Sequence, residues 1–248
     1  MIILSILFFV TAIIYSSVGF GGGSTYLALL LIWGVPYTIF PVIALICNII
    51  VVSGNSFNFI RSKNLNFNLL FPYLIGSIPF AFIGGSITIE KSLFEILLFC
   101  VLLIAGIFLL IESKSFNKEQ IKINQIPKSL SIFIGSVIGF MSGIVGIGGG
   151  IFLSPLLFLM KAGYPKHIAS SASLFILINS LFGIAGQLTK DRILEDLINY
   201  WPLFLIVFVG GQIGNLLNIK YLSNKILALL TSLLVIFVAI RLGVRLLA

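Results

Sequence analysis

Apolar stretches of helix length follow one another along the whole of this chain, separated only by short polar connections. Of the 248 residues, 59% are hydrophobic and 9% are charged, whereas soluble domains contain roughly 25% charged residues. A helix needs roughly 20 apolar residues to cross a hydrocarbon core. The longest polar segment, from Glu112 to Lys128, is too short to form a separate soluble domain. The sequence therefore predicts an all-α integral membrane protein with several crossings.

The positive net charge belongs to the short connections rather than to a separate basic surface. The sequence has 15 Lys and Arg residues against 7 Asp and Glu residues, a formal net charge of +8. Most of the basic side chains stand between apolar runs, at positions 61 and 63, 114, 118, 122 and 128, 161 and 166, 220 and 225, and 241 and 245. The cytoplasmic side of a membrane retains Lys and Arg in this way. We therefore expect a multi-pass protein of the cell membrane, surrounded by the lipid bilayer and without a nucleic-acid partner.

The same glycine cluster occurs twice, each time inside an apolar stretch. The glycines are Gly19, Gly21, Gly22 and Gly23 in the first cluster, and Gly146, Gly148, Gly149 and Gly150 in the second. A Gly-x-Pro tripeptide follows each cluster at a similar distance, as Gly34-Val35-Pro36 and as Gly163-Tyr164-Pro165. These parallels predict two homologous repeats, residues 1–111 and 129–248, joined by a polar cytoplasmic connection, residues 112–128.

Each predicted repeat consists of a glycine-broken helix or re-entrant hairpin, followed by three transmembrane helices. The apolar segments of the first repeat run from Ile2 to Tyr15, Ser24 to Trp33, Ile39 to Ile60, Phe67 to Ile87 and Leu93 to Ile111. Those of the second run from Leu130 to Met141, Ile151 to Met160, Ile168 to Leu188, Leu197 to Ile219 and Ile226 to Leu246. The segments beside each break, about 10 to 15 residues long, are too short to cross a membrane singly.

The sequence leaves two arrangements of the repeats open. If each pair of short segments forms one broken helix, each repeat crosses four times and the copies are parallel. If each pair forms a hairpin that returns to its own side, each repeat crosses three times and the copies are inverted. Both arrangements place the same excess of basic residues on one side of the membrane, so the positive-inside rule does not choose between them. We favour the inverted arrangement, because it brings two equivalent breaks together near the midplane of the membrane.

The backbone at the glycine breaks is the strongest candidate for a binding site. Uncoiled backbone is tolerated inside a membrane only where it is buried in protein or lines a polar cavity. Short helices beginning near Ser24 and Ile151 would direct unpaired N–H groups and a partial positive charge into that cavity, which suits an anion. Ser24 and Thr25 add hydroxyl donors in the first repeat, whereas apolar residues occupy the matching positions of the second. Asn48 and Asn179, the deepest amides of the following helices, complete the candidate site.

The predicted helices contain no ionisable residue near their middle. Proton-coupled carriers usually hold a carboxylate or histidine at depth. Cys47 and Cys100 lie in apolar runs without CxxC spacing or a histidine partner, so we expect them to act as small buried hydrophobic residues. The sequence has no Ser/His/Asp set, no HExxH motif and no cluster of metal ligands. We therefore expect neither an enzyme nor a cofactor or metal site, and a divalent-metal permease is disfavoured.

The segments around the two glycine clusters resemble a known family. Ser17-Val18-Gly19-Phe20-Gly21-Gly22-Gly23, and later Gly143-Ile144-Val145-Gly146-Ile147-Gly148-Gly149-Gly150 followed by Pro155, are similar to the motifs of the sulfite exporter TauE/SafE family. The chain length, the duplication and the Gly-x-Pro tripeptides are similar over essentially the whole chain. This resemblance implies a permease for small anions, with sulfite, sulfoacetate and related sulfonates as the best-known substrates. Ser24-Thr25 stands against Ile151-Phe152 at the second break, so the two halves are not expected to contribute equally.

The resulting hypothesis is a permease that exports a small oxyanion, such as sulfite or an organosulfonate, by alternating access around the two breaks. Two other interpretations stay open at this point. One is a permease for a different small solute, and the other is a non-transporting membrane protein that anchors a partner through residues 112–128. The sequence also leaves open the coupling ion and whether the chain forms a homo-oligomer.

Overall fold

The computed structural model describes residues 2–63, 65–115, 123–190 and 197–217, together with isolated positions between 233 and 244. Throughout these ranges the chain forms helices and short turns, and no strand occurs among the described residues. Five helices there are long and apolar enough to cross a membrane. The predicted all-α membrane architecture is therefore confirmed. Residues 116–122 of the predicted connection, and most of the predicted last helix, lie outside the described residues.

Nine α-helices make up the described part of the fold. Their bounds are α1 Ile2–Val18, α2 Gly23–Ile32, α3 Phe40–Arg61, α4 Phe67–Ser86, α5 Lys91–Ser115, α6 Lys128–Val145, α7 Gly150–Leu159, α8 Pro165–Gln187 and α9 Trp201–Leu217. Two 3-10 turns, Tyr37–Ile39 and Ile198–Tyr200, lead into α3 and α9. Proline opens the first turn of α3 and of α8, where its missing N–H group costs no hydrogen bond.

The helices that precede the two glycine breaks are longer than the sequence predicts. The apolar runs suggest about 10 to 15 residues, but α1 has 17 residues and α6 has 18. The helices continue through small residues such as Ser142 and Gly143 until Gly146, with φ of 87°, ends α6 in the left-handed region. The helices that follow the breaks, α2 and α7, each have 10 residues. The two arms of each break are therefore unequal, and α6 by itself has the length of a membrane span.

Chain reversal at the first break forms a helical hairpin. The rings of Phe8 in α1 and Tyr26 in α2 lie 4.7 Å apart. Further along, the Tyr15 hydroxyl and Thr25 Oγ1 share a hydrogen bond of 2.8 Å. From the first of these contacts to the second, the residue number rises on α1 and falls on α2, so the two helices are antiparallel.

Two helix pairs pack side by side in the same direction through glycine. Between α4 and α6 the close approaches join Tyr73 with Gly135, Ser77 with Gly139, and Ala81 with Gly143. Between α1 and α9 they join Phe9 with Gly210, and Ile13 with Gly214. Small residues allow helix axes to come this close in a membrane. Gly139, which lies outside both glycine clusters, thus serves the packing of α6 against α4.

The central pair, α3 and α8, runs in opposite directions. Leu45 of α3 lies beside Gly183 of α8, while Ser56 Oγ lies 3.2 Å from Ser173 Oγ. The residue number therefore rises along α3 where it falls along α8, so the two helices are antiparallel.

Helix α9 is parallel to α3, since Val51 and Gly54 of α3 meet Gly211 and Asn215 of α9 in that order. Helix α4 is parallel to α8, since Ser77 and Gly85 of α4 meet Asn179 and Gly186 of α8 in order. Helices α1, α3 and α9 thus point one way, and α4, α6 and α8 point the other.

Candidate functional site

Both glycine breaks use backbone that side chains other than glycine rarely adopt. In the first break Gly19 and Gly22 have φ of 87° and 85°. In the second, Gly146, Gly148 and Gly149 have φ of 87°, 81° and 78°. Glycine reaches this left-handed region without the steric cost that a Cβ atom brings. At these five positions glycine is therefore required by the turns themselves.

Each break ends at the N-terminus of a short buried helix. Gly22 caps α2 and Gly149 caps α7, and neither residue has a side chain that could accept from the first N–H groups of its helix. The first backbone bond within α2 runs from the Tyr26 N–H to the Gly22 carbonyl at 3.0 Å. In α7 the Phe152 N–H donates to the Gly149 carbonyl at 3.1 Å. Helix geometry leaves the N–H groups that precede these bonds without intrahelical acceptors, and it places the positive end of the helix dipole there.

The two breaks meet at a single amide, that of Asn48 in α3. Its Nδ2 donates to the Ile147 carbonyl of the second break at 3.3 Å. A Cβ atom added at Gly23 would stand 2.7 Å from Asn48 Nδ2, and one added at Gly148 would stand 2.6 Å from it. Gly21 approaches the Asn48 Oδ1 atom still more closely. Asn48, which is 0% exposed, therefore occupies the space that the missing side chains of both breaks leave.

Several buried polar atoms at this junction have no hydrogen-bond partner among the described residues. They are Asn48 Oδ1 and Ser180 Oγ, and the Oγ atom of Ser24, the residue after Gly23, is buried and unpaired there as well. Ser180 lies on the other side of Gly148, 3.2 Å from the position that its Cβ would take. Buried polar atoms in proteins are nearly always hydrogen-bonded, and an unpaired one costs about 1–3 kcal/mol. An enclosed group of unpaired atoms beside two helix N-termini marks a place where a polar ligand would be stabilised.

The surroundings of the two breaks differ in polarity. In the first, the hydrogen bond between Tyr15 and Thr25 lies next to Gly22, whose added Cβ would stand 3.2 Å from the Tyr15 ring. In the second, Gly149 lies against the Phe175 ring, and Gly150 against the Ile176 side chain. The matching residues Ile151 and Phe152 are each 9% exposed and belong to the apolar core. The asymmetry between Ser24-Thr25 and Ile151-Phe152 therefore extends to the side chains around each break.

The structure brings some of the predicted site residues together and leaves others apart. Gly21, Gly23, Gly148 and Asn48 share one junction. The other glycines with left-handed backbone meet different neighbours: Gly19 the Phe59 ring, Gly22 the Tyr15 ring, Gly146 the Pro41 backbone and Gly149 the Phe175 ring. Asn179 is fully buried as expected, but its Nδ2 donates to Ser77 Oγ at 3.1 Å and to the Phe175 carbonyl at 2.9 Å. A binding role for Asn179 stays a prediction, because these hydrogen bonds join it to α4 and to its own helix rather than to the breaks.

Three residues at or beside the two breaks are missing from the sequence prediction. Ile176 approaches Gly21, Gly148 and Gly150, and Ser180 and Tyr15 provide the polar neighbours described above. Nothing distinguishes Ile176 in sequence from the many other apolar residues of α8. Ser180 directly follows the predicted Asn179, and one helical residue turns the side chain by about 100°. Packing alone decides which side of α8 faces the breaks. As a result Ser180 lies at the junction, whereas Asn179 contacts α4.

Comparison with known proteins places this chain in a family. The sequence model of the family described as "Sulfite exporter TauE/SafE" matches residues 4–242. "Probable membrane transporter protein y4hK" of Sinorhizobium fredii is 29% identical, over 96% of both chains. "Probable membrane transporter protein YunE" of Bacillus subtilis is 22% identical, over 95% of this chain and 94% of that one. "Probable membrane transporter protein MJ0441" of Methanocaldococcus jannaschii is 29% identical, over 76% of this chain and 73% of that one.

No solved structure matches the chain, so the comparisons rest on sequence alone. They agree with the five helices of membrane-spanning length and with the motifs around the two glycine clusters. The relatives named here are described as probable membrane transporters. Because the family match covers nearly the whole chain, this multi-pass membrane protein belongs to the sulfite exporter TauE/SafE family.

Proposed function

We propose that the chain is a permease that exports a small oxyanion, of the class of sulfite or an organosulfonate, by alternating access. The observation that carries the proposal is the convergence of both glycine breaks on the buried Asn48 amide. Two helix N-termini at one neutral junction provide N–H donors and two partial positive charges, which together stabilise an anion. The family name supports the choice of sulfite and its relatives as the first compounds to test.

The Asn48 amide can change its partner as an anion arrives. Its bond to the Ile147 carbonyl is long, at 3.3 Å, and its Oδ1 atom has no partner among the described residues. The amide nitrogen carries two N–H groups, and the bond to the Ile147 carbonyl uses only one of them. Nδ2 would then donate to the anion, and the hydroxyl groups of Ser24 and Ser180 would add two further donors. A neutral site of this kind releases its ligand more readily than a buried lysine or arginine would.

We further propose that the two halves are inverted repeats. The proposal pairs α1 with α6, α3 with α8, and α4 with α9, as the order of segments along the sequence suggests. The members of each pair point in opposite directions, since α1, α3 and α9 run against α4, α6 and α8. Equivalent helices in opposite directions are related by an axis in the membrane plane, a recurring plan among transporters. Alternating access then follows if each half can open the shared junction toward its own side.

Transport by the purified protein in lipid vesicles tests the function. We expect wild-type protein to move sulfite or a sulfonate, and net charge to accompany each turnover unless a counter-ion is carried. Gly22→Val and Gly149→Val should abolish this flux while the protein still inserts, because a branched side chain cannot adopt the left-handed backbone found there. Normal flux in both variants would contradict a role of the breaks in transport, and no flux of any oxyanion by the wild type would contradict the proposed substrate class.

Topology mapping tests the inverted arrangement separately. Three crossings in the first half place the connection of residues 112–128 on the opposite side of the membrane from the N-terminus, whereas four crossings place both on the same side. A reporter tag at Ile2 and another in the connection can be scored for protection from external protease in right-side-out vesicles. Opposite protection supports inverted repeats. Equal protection would mean parallel repeats.

A further inference from the structure

A polar cavity opens where several helices end on one side of the protein. Its volume is about 430 Å³. It lies between the C-terminal ends of α4, α6 and α8 and the residues that lead into α3 and α5. Its polar lining residues are Thr38, Ser86, Thr88, Gln187, Thr189 and Lys190. The cavity is distinct from the junction at Asn48, and it contains a cationic side chain, which the junction lacks.

Lys190 is held inside this cavity by a neutral partner. Its Nζ donates to Gln187 Oε1 at 2.9 Å. Burial lowers the pKa of the Lys190 ammonium to about 8. No salt bridge to Lys190 occurs within the described residues, and Tyr37 is the other titratable group that lines the cavity there. A half-buried ammonium whose partner is an amide gains more from an arriving anion than an ammonium already paired with a carboxylate.

A chain of hydrogen bonds and contacts joins this cavity to the second glycine break. Gln187, only 1% exposed, accepts from Lys190 and donates through Nε2 to the Gly143 carbonyl at 2.8 Å. Gly143 lies in the last turn of α6, just before the break at Gly146. Pro41 and Ile144 line the cavity, and Pro41 also packs directly against Gly146. An anion in the cavity would therefore stand one layer of residues away from the break.

We propose that this cavity is a vestibular binding site for a small soluble oxyanion, with Lys190 as its cationic anchor and the hydroxyl groups of Thr38 and Thr88 as donors. This inference rests on the proposed transport function, for which the vestibule concentrates substrate at one mouth of the pathway. A fixed cation in a recessed site raises the local concentration of anions and speeds their entry. The same oxyanion chemistry also occurs in the phosphate of a lipid headgroup, so the test must separate the two sources.

Protection of Lys190 from chemical modification tests the site on the wild-type protein. The protein in phosphate-free detergent is treated with an amine-acylating reagent near pH 8, and modified peptides are quantified by mass spectrometry. We expect sulfite to slow acylation of Lys190 several-fold, because a bound anion both covers the amine and favours its unreactive protonated form. Lys91 is the internal reference, since it is an exposed lysine at the start of α5 that does not line the cavity. Equal slowing at both lysines, or none at Lys190, would overturn the proposal.

A lipid arm distinguishes a soluble anion from a headgroup. Phosphatidylglycerol added to the same micelles without sulfite should leave Lys190 as reactive as before. If the lipid protects Lys190 and sulfite does not, the cavity binds a headgroup and the proposal is wrong. Protection should also weaken as the pH rises above about 8, because the ammonium then loses its proton. Glu90 and Lys91, which follow the cavity residue Ile89, are both exposed and so have little influence on this titration.

Flux measurements connect the vestibule to transport. In lipid vesicles Lys190→Gln should raise the half-saturating sulfite concentration about five-fold, the loss expected for a partly exposed ion pair. Its maximal flux should stay near that of the wild type, and Lys91→Gln should change neither quantity. An unchanged half-saturating concentration in Lys190→Gln would count against a vestibule that feeds the pathway. Protection of Lys190 by sulfite without any wild-type flux would reject the proposed transport function and leave the binding site standing.

Discussion

The two glycine breaks have similar backbones and different surroundings, and this contrast explains much about the candidate site. Both breaks use left-handed glycines and lead into buried helices of 10 residues. The first is supported by the hydrogen bond between Tyr15 and Thr25, whereas the second rests on Phe175 and Ile176. The amide at their junction comes from α3, in the first half, and the facing α8 presents Ile176. Two breaks with similar backbones thus form one asymmetric candidate site, to which the first half of the chain contributes most of the polar groups.

The largest effect should come from adding a single methyl group to the second break. In Gly148→Ala the new Cβ would stand 2.6 Å from Asn48 Nδ2, which leaves no room for the amide. We expect sulfite flux in vesicles to fall to background while the protein still inserts. Gly34→Ala is the matched control, because Gly34 also has a left-handed φ, 67°, but an added Cβ there meets nothing within 4 Å. Left-handed strain of roughly 1–2 kcal/mol is common to both variants, so equal loss of flux would make strain, not contact with Asn48, the cause.

Asn48 itself should show the next largest effect. Asn48→Leu removes the shared amide, and we expect flux to fall about ten-fold or more, since a lost hydrogen-bond partner costs about 1–3 kcal/mol. Asn48→Asp should be worse at neutral pH, because a buried carboxylate repels an anion. The control is Asn58→Leu on the same helix, where the amide is exposed and bonds Asn215 at 2.9 Å. If Asn48→Asp transported normally, the junction would not be an anion site.

A smaller effect is expected from the polar support of the first break. Tyr15→Phe removes the 2.8 Å bond and leaves Thr25 Oγ1, in a residue that is 5% exposed, without that partner. We expect a loss of stability of about 1 kcal/mol, seen as a lower melting temperature in detergent, and a flux reduced only a few-fold. Tyr200→Phe provides a comparison, since Tyr200 is a half-buried tyrosine that lies outside both glycine breaks. Equal melting temperatures for Tyr15→Phe and the wild type would show that the first break does not depend on this bond.

The sequence predicts the helices of this protein well and their ends less well. Long apolar runs identify α3, α4, α5 and α8 within a few residues, because hydrophobic burial in a membrane depends on length and composition alone. The helices before the breaks extend further than predicted, since serine and glycine continue a helix until a left-handed residue such as Gly146 stops it. Apolar composition does not record that stop.

The sequence also identifies part of the candidate site. Glycine at Gly22 and Gly149 is required by local backbone geometry, so its role is visible in a short segment of sequence. The depth of Asn48 follows from its place in the middle of an apolar run. The importance of Ile176 and Ser180 could not be predicted, because it depends on which face of α8 turns toward the breaks.

By itself, therefore, the sequence determined that the chain is an all-α membrane protein with two glycine breaks, because composition and left-handed backbone are local properties. Only the tertiary structure decided that both breaks meet at Asn48 and that α3 and α8 run in opposite directions. The helices are apolar on most of their surface, and lipid satisfies such surfaces as well as another helix does. Hydrophobicity therefore selects no particular partner for any helix. The partner of each helix is determined by close contacts between small residues, and those contacts exist only once the whole chain has packed.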